Sequence, residues 1–140
     1  MIVLDTNVLS EPLRAEPDPG VLGWLDDVDG SAAVTAVSVA ELLTGAQHLP
    51  AGRRRDGLVR AIEAMAESFR DSVLPFDVDA ARRYAGFQAA RRAAGRPLSV
   101  EDGMIAAICA SRGATLATRN TRDFAGLGLP LVDPWEAGRP

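Results

Sequence analysis

Short apolar runs alternate with longer amphipathic segments along this chain. Ile2 to Leu4 reads as a buried strand ending in Asp5, and Asn7 to Arg14 as a short helix stopped by Pro17 and Pro19. Asp18 is placed to cap a second helix, with Pro19 at its first position and Val21, Leu22, Leu25 and Val28 as its apolar stripe. Asp29-Gly30 marks a turn before a second strand, Ala33 to Ala36. Ser38 then opens a helix carrying Val39, Leu42, Leu43 and Ala46, which fades at His48-Leu49-Pro50. Arg53 to Phe69 is amphipathic, with Leu58, Ile62, Met65, Ala66 and Phe69 on one side. Val73 to Phe76 reads as a third strand and Asp79 to Ala94 as a long helix ending at Gly95. Ser99 caps a helix whose apolar face holds Ile105, Ile108 and Cys109 and which ends at Gly113. Thr115 to Thr118 is a fourth strand, Leu131 and Val132 a short fifth, and Pro134 to Pro140 a loosely ordered tail with Trp135 tucked in. Strands alternating with helices predict an α/β sandwich around a mainly parallel sheet of four to five strands. Such sheets place their sites beyond the carboxyl ends of the strands.

Composition narrows the function classes. A chain of 140 residues that is 47% hydrophobic and 24% charged is a single globular domain with a real core. The 19 acidic and 15 basic residues leave a net charge of −4, and every basic side chain is an arginine. Grip on nucleic acid by bulk charge is therefore excluded, and any such contact has to be local. One cysteine and one histidine exclude an internal disulfide and a Cys₄ or Cys₂His₂ zinc site. The opening MIVLDTN lacks a cationic leader, and no apolar run reaches membrane length, so a cytoplasmic protein is expected. Cys109 reads as a small core residue, His48 as a helix-terminal surface residue, and Arg53-Arg54-Arg55 as a solvated helix start. Arg82, Arg83, Arg91, Arg92 and Arg96 read mainly as a ridge that solvates the long helix.

Four acids carry the candidate chemistry: Asp5, Glu41, Asp102 and Asp123. Each adjoins an apolar run or heads the helix that follows one, so a parallel sheet would bring them to one edge. Taken singly, each has a structural reading. Asp5 can cap the first helix, Ser38-x-x-Glu41 fits a capping box, Ser99-x-x-Asp102 is a near match with Asp in place of Glu, and Asn120-x-x-Asp123 fits a capped turn. Capping does not explain the shared edge. Asp102 heads the helical stripe of Ala106 and Cys109, where a lone carboxylate is costly. Glu41 lies opposite Leu42 and Leu43 and could face solvent. Clustered carboxylates call for a hard divalent cation, Mg²⁺ or Mn²⁺.

IVLDTNVLSE, VSVAELLTG, PLSVEDGMIAAICASRG and LATRNTRDFAGLGLPLVDP, in this order, resemble the PIN-domain ribonucleases. Within them the chain is most similar to VapC-type toxins of toxin–antitoxin pairs and their FitB-like relatives. The resemblance runs from Met1 to about Pro134, leaving 135–140 as a C-terminal tail. It implies a three-layer PIN-like sandwich and a Mg²⁺-dependent endoribonuclease that hydrolyses RNA phosphodiesters with a metal-activated water. It implies Asp5, Glu41, Asp102 and Asp123 as the metal-holding quartet, with Asp5 and Asp102 the firmest ligands and Asp123 helping through water. Thr6 and Asn120 match supporting polar positions. Glu101 turns off the helix at about 100° from Asp102 and is not expected as a ligand. Arg119 and Arg122 are the expected RNA contacts. The implied partners are a VapB-type antitoxin and a second copy of the chain, as a homodimer or a heterotetramer or larger with antitoxin. Two rival readings are a phosphatase with Asp5 as nucleophile and a non-catalytic module whose acidic patch binds a basic segment. Asn7 stands where the phosphatases carry a second aspartate, which counts against the first.

Overall fold

The computed structural model describes residues 1–137 and 139. Its sheet contains β1 (Ile2–Leu4), β2 (Ala32–Thr35), β3 (Val73–Leu74), β4 (Thr115–Ala117) and β5 (Leu131–Val132). The spatial order is β3-β2-β1-β4-β5, and every pairing is parallel. Around it pack α1 (Thr6–Ser10), α2 (Pro19–Val28), α3 (Ala36–Gln47), α4 (Arg53–Ser68), α5 (Val78–Ala93), α6 (Val100–Arg112) and α7 (Pro134–Ala137).

Side chains alternate across a strand, and here the alternation builds two cores. Val3, Ala33 and Leu116 face one side, with Ala80 of α5 and Ile105 and Ile108 of α6. Leu4, Val34 and Ala117 face the other, with Val8, Val21 and Trp135. This makes the expected three layers. The chain starts at the central strand, moves outward through β2 and β3, then returns through α5 and α6 to β4 on the far side of β1. The winding direction therefore changes between β1 and β4, where an open α/β sheet leaves a crevice at its carboxyl edge. The register Leu4↔Ala117 places Asp5 and Thr118 side by side at that edge.

Several boundaries differ from the expected ones, each for a local reason. The first helix begins at Thr6 and gives way at Glu11–Leu13 to a tighter 3₁₀ turn. Pro12 lacks the N–H that another α-turn needs. Helix α3 is capped by Thr35, whose hydroxyl accepts from Ser38 N at 3.0 Å, so Ser38 lies inside the helix and is fully buried. The expected Ser38–Glu41 capping box is therefore not formed, and β2 ends one residue earlier than expected. Strand β3 stops at Leu74 because Pro75 follows it. Ser99 caps α6 as expected, and Gly113 ends it in the left-handed conformation with φ +62. The tail is less loose than expected. Asp133 Oδ1 accepts from Trp135 N at 2.9 Å, starting α7, and Trp135 joins the core. Gly138 and Pro140 lie outside the described residues. Among the described residues no helix is long and apolar enough to cross a membrane.

Gly103 lets α5 and α6 approach closely, since a Cβ there would lie 2.8 Å from the Tyr84 ring. Glu11, 2% exposed, accepts from Asp18 N at 2.8 Å and from Arg14 Nη1 at 3.2 Å. It thus fixes Asp18, whose own side chain caps α2 through Gly20 N and Val21 N. Losing the Glu11 carboxylate leaves the Asp18 N–H without its acceptor, so Glu11→Ala should cost about 1–3 kcal/mol in urea unfolding. Arg14→Ala, on the side-chain partner that is 58% exposed, should cost less than about 1 kcal/mol. Equal costs would mean that Glu11 acts through the ion pair and not through the loop.

Candidate functional site

Asp5 caps α1 from the end of the central strand. Its Oδ1 accepts from Thr6 N at 2.8 Å, and its Oδ2 accepts from the Thr118 hydroxyl at 2.7 Å and from Asn7 Nδ2 at 3.3 Å. Only 5% of the residue is exposed. Burial pushes its carboxyl up from the ordinary value, the three hydrogen bonds pull it down, and the neighbouring Asp123 charge pushes it further up. A carboxylate offers about four lone-pair directions, so three bonds leave one free.

Glu41 reaches the same edge from the second turn of α3. It is half-buried, not solvent-facing, and its Oε1 accepts from the Thr6 hydroxyl at 2.8 Å. Ser38 Oγ lies 3.0 Å from Thr6 Oγ1 and 3.3 Å from Thr35 Oγ1. A line of hydroxyls thus runs from the α3 cap to the Glu41 carboxylate. Asp102, at the third position of α6, is half-buried, and its N–H donates to Ser99 Oγ at 3.2 Å. Burial raises the carboxyl of both residues. Glu41 is raised further by Asp5, Asp102 and Glu101, and Asp102 by Asp5, Asp123 and Glu101, while Thr6 and Ser99 respectively offset part of the effect.

Asp123 is exposed and belongs to the 3₁₀ turn Thr121–Phe124. Its N–H donates to Asn120 O at 2.9 Å. The expected side-chain cap from Asn120 is not made. Asn120 instead donates its own N–H to Thr118 Oγ1 at 3.0 Å. Arg119 and Arg122 are exposed on either side of Asn120 and Thr121. The Arg119 guanidinium lies 4.9 Å from the Trp135 ring centroid, and the Arg119 main-chain N–H donates to Asn7 Oδ1 at 3.2 Å.

The four acids therefore meet at the switch point as an electrostatically linked group. None is ion-paired among the described residues. Among those residues no group of three or more His, Cys, Asp or Glu side chains is placed closely enough to hold a metal ion as it stands. In donor chemistry the group still suits a hard cation that keeps several waters and takes only one or two carboxylates directly. A cleft of about 310 Å³ opens beside Asp102 and Asp123, with Arg91, Arg96 and Ser99 also on its walls. A larger, mostly apolar groove of about 590 Å³ runs on the other side, past Glu41, Glu101 and His48.

Three contributors were missed in the sequence. Thr118 bonds Asp5, and Ser38 supports Thr6, yet both read as ordinary strand and cap residues. Arg91, expected to solvate α5, is 8% exposed. It donates to the main-chain carbonyls of Asp123 at 2.8 Å, Ala125 at 2.9 Å and Arg96 at 3.4 Å. Its single distinguishing signal was its place on the α5 side that carries Gln88, three residues earlier.

Comparison with known proteins agrees with this architecture. The PIN domain family matches residues 2–128. The chain is 42% identical over 138 residues to the VapC ribonuclease Y4jK of Sinorhizobium fredii, covering 97% of this chain and 99% of that protein. It is 36% identical over 137 residues to the toxin FitB of Neisseria gonorrhoeae, covering 96% and 99%. The crystal structure of FitAcB from Neisseria gonorrhoeae superposes with a TM-score of 0.90 at 36% identity, over 97% of this chain and 99% of that one. The chain belongs to the PIN-domain family, in company with VapC and FitB toxins.

Proposed function

We propose that this chain is a divalent-metal-dependent endoribonuclease and the toxin of a type II toxin–antitoxin pair. Asp5, Glu41, Asp102 and Asp123 would hold Mg²⁺ or Mn²⁺. The observation that carries this reading is the convergence of carboxylates without ion pairs at the β1/β4 switch point, three of them raised by burial and by one another. Nothing in local capping requires that arrangement, and a cation would relieve its repulsion. The names VapC ribonuclease and toxin FitB on its relatives support the activity and the toxin role.

When bound, a divalent cation supplies Lewis-acid chemistry, lowering the pKa of water and offsetting phosphoryl charge. The chain's own residues do the rest. Asp5 is held rigid by Thr6, Asn7 and Thr118, and Glu41 is aimed by Thr6. Asp123, the most exposed of the four, is free to accept a proton or order a solvent molecule. Arg119 and Arg122 form the cationic rim that a protein of net charge −4 needs to admit RNA. An antitoxin of the VapB type and a second copy of the chain complete the proposed assembly.

The phosphatase rival loses ground here. Where those enzymes carry a second carboxylate, Asn7 instead donates its amide to Asp5 Oδ2 at 3.3 Å. The acidic interaction module remains the second reading, since the same unpaired carboxylates would attract a basic segment.

Antitoxin-free protein supplied with Mg²⁺ or Mn²⁺ should cleave RNA, and EDTA should stop it. Asp5→Asn and Asp102→Asn should each lower the rate by about a hundredfold or more while the fold is kept, as measured by circular dichroism. Wild-type rates in both variants would favour the interaction module.

Metal-free stability gives an independent test. A carboxyl raised in the fold destabilises the charged form, so its cost is present at neutral pH and fades as pH falls through the raised value toward the ordinary one. Asp102→Asn should therefore raise the metal-free Tm at pH 7, and the gain should shrink toward the ordinary aspartate value of 3.8. In wild type, added Mn²⁺ should raise the Tm at pH 7. A gain independent of pH would assign the effect to packing.

A further inference from the structure

Helix α5 holds a buried cation that neither packing nor the proposed chemistry uses directly. Arg91 is 8% exposed, and no acidic side chain pairs with it among the described residues. An unpaired buried charge is costly, so the guanidinium needs a reason to stand there. Its partners explain why a guanidinium stands there. They belong to two separate segments: Asp123 and Ala125 in the turn after β4, and Arg96 in the loop that leads to Ser99 and α6. A planar fork with five donors can span both, which an ammonium or an amide cannot do. The α5 end delivers it accurately. Gly95, with φ +70, turns the chain back so that Arg96 N bonds Arg91 O at 2.9 Å, bringing the Arg96 carbonyl under the guanidinium. One turn earlier, Gln88 Nε2 donates to Leu98 O at 3.3 Å, steadying the same loop.

We propose that Arg91 is a positioning residue for the acidic site. It sets the separation of Asp102 and Asp123 by tying the Asp123 turn and the entry loop of α6 to one rigid helix, without itself touching metal or RNA. The inference rests on the metal reading above and deepens it. Asp123 is exposed and has no side-chain cap, so its placement relies on main-chain anchors. Those anchors are the Asn120 carbonyl and Arg91. Supports of this kind typically change metal affinity by about 10–100-fold when removed.

The test uses the full-length, antitoxin-free protein, with Mn²⁺ affinity from calorimetry below the melting range and amide hydrogen exchange without metal. Arg91→Ala should bind Mn²⁺ about tenfold or more weakly, and the amides of Asp123 and Ala125 should exchange faster. Arg91→Lys, which keeps the charge but reaches fewer carbonyls, should fall between. Arg82→Ala on the exposed face of α5, where Arg82 pairs with Asp79 among the described residues, should change neither quantity. Where Arg91→Ala does not fold, Arg91→Lys decides by the same two readouts. Faster exchange with unchanged Mn²⁺ affinity would make Arg91 merely structural and overturn the proposal, as would no change in either. Wild-type protein that binds no Mn²⁺ would overturn the metal reading and this inference together. Binding by wild type and Arg91→Ala alike would overturn this inference alone.

Discussion

The hydrogen bond from Thr118 to Asp5, 2.7 Å across the point where the sheet changes its winding direction, joins the ends of β1 and β4 and fixes where charge can collect. Asp5 lies at the carboxyl end of the innermost strand, with the Leu4↔Ala117 register beside it. From there the remaining acids follow from topology. The chain leaves β1 into α1, so Thr6 and Asn7 turn back on Asp5. It leaves β2 into α3, so Glu41 arrives beside Thr6. It returns through α6, whose first turn carries Asp102, and it leaves β4 into the turn of Asp123. Each strand of the central three thus delivers its next polar element to one edge.

That placement sets up an opposition between folding and function. Burial and like charges both raise Asp5, Glu41 and Asp102, so the fold carries a cost at neutral pH that hydrogen bonds only partly offset. The protein surrounds this cost with rigid neutral donors: Thr6, Thr118, Asn7 and Ser99. Rigid donors keep the carboxylates apart and aimed without neutralising them. A pairing arginine would have relieved the repulsion but closed the site. The one buried arginine nearby, Arg91, instead spends its donors on main-chain carbonyls.

Much of this was legible in the residues because it rests on local chemistry. The helix starts at Asp18 and Ser99, the stop at Gly113 and the buried stripe under Asp102 follow from capping and periodicity. Cys109 is the core residue it was expected to be, its thiol pushed up to about 12 by burial. The parts that were not legible depend on contacts distant in sequence. Thr118 meets Asp5 from 113 residues away, and Arg91 meets Asp123 from 32. Nothing in the composition of an Arg-rich helix separates one buried arginine from its solvated neighbours. Thr35 and Ser38 are both good caps, and tertiary packing chose the earlier one. Trp135 was expected to tuck in, but the short helix that carries it was not.

Whether these carboxylates hold a divalent cation is decided by anomalous scattering from crystals of antitoxin-free protein soaked in Mn²⁺. A cation held there gives a strong peak within coordination distance of the Asp5 and Asp102 carboxylate oxygens, with Glu41 and Asp123 facing it directly or through solvent. A map with no peak at that edge, or with a lone peak in the cleft beside Arg91 and Arg96 away from Asp5, would contradict it.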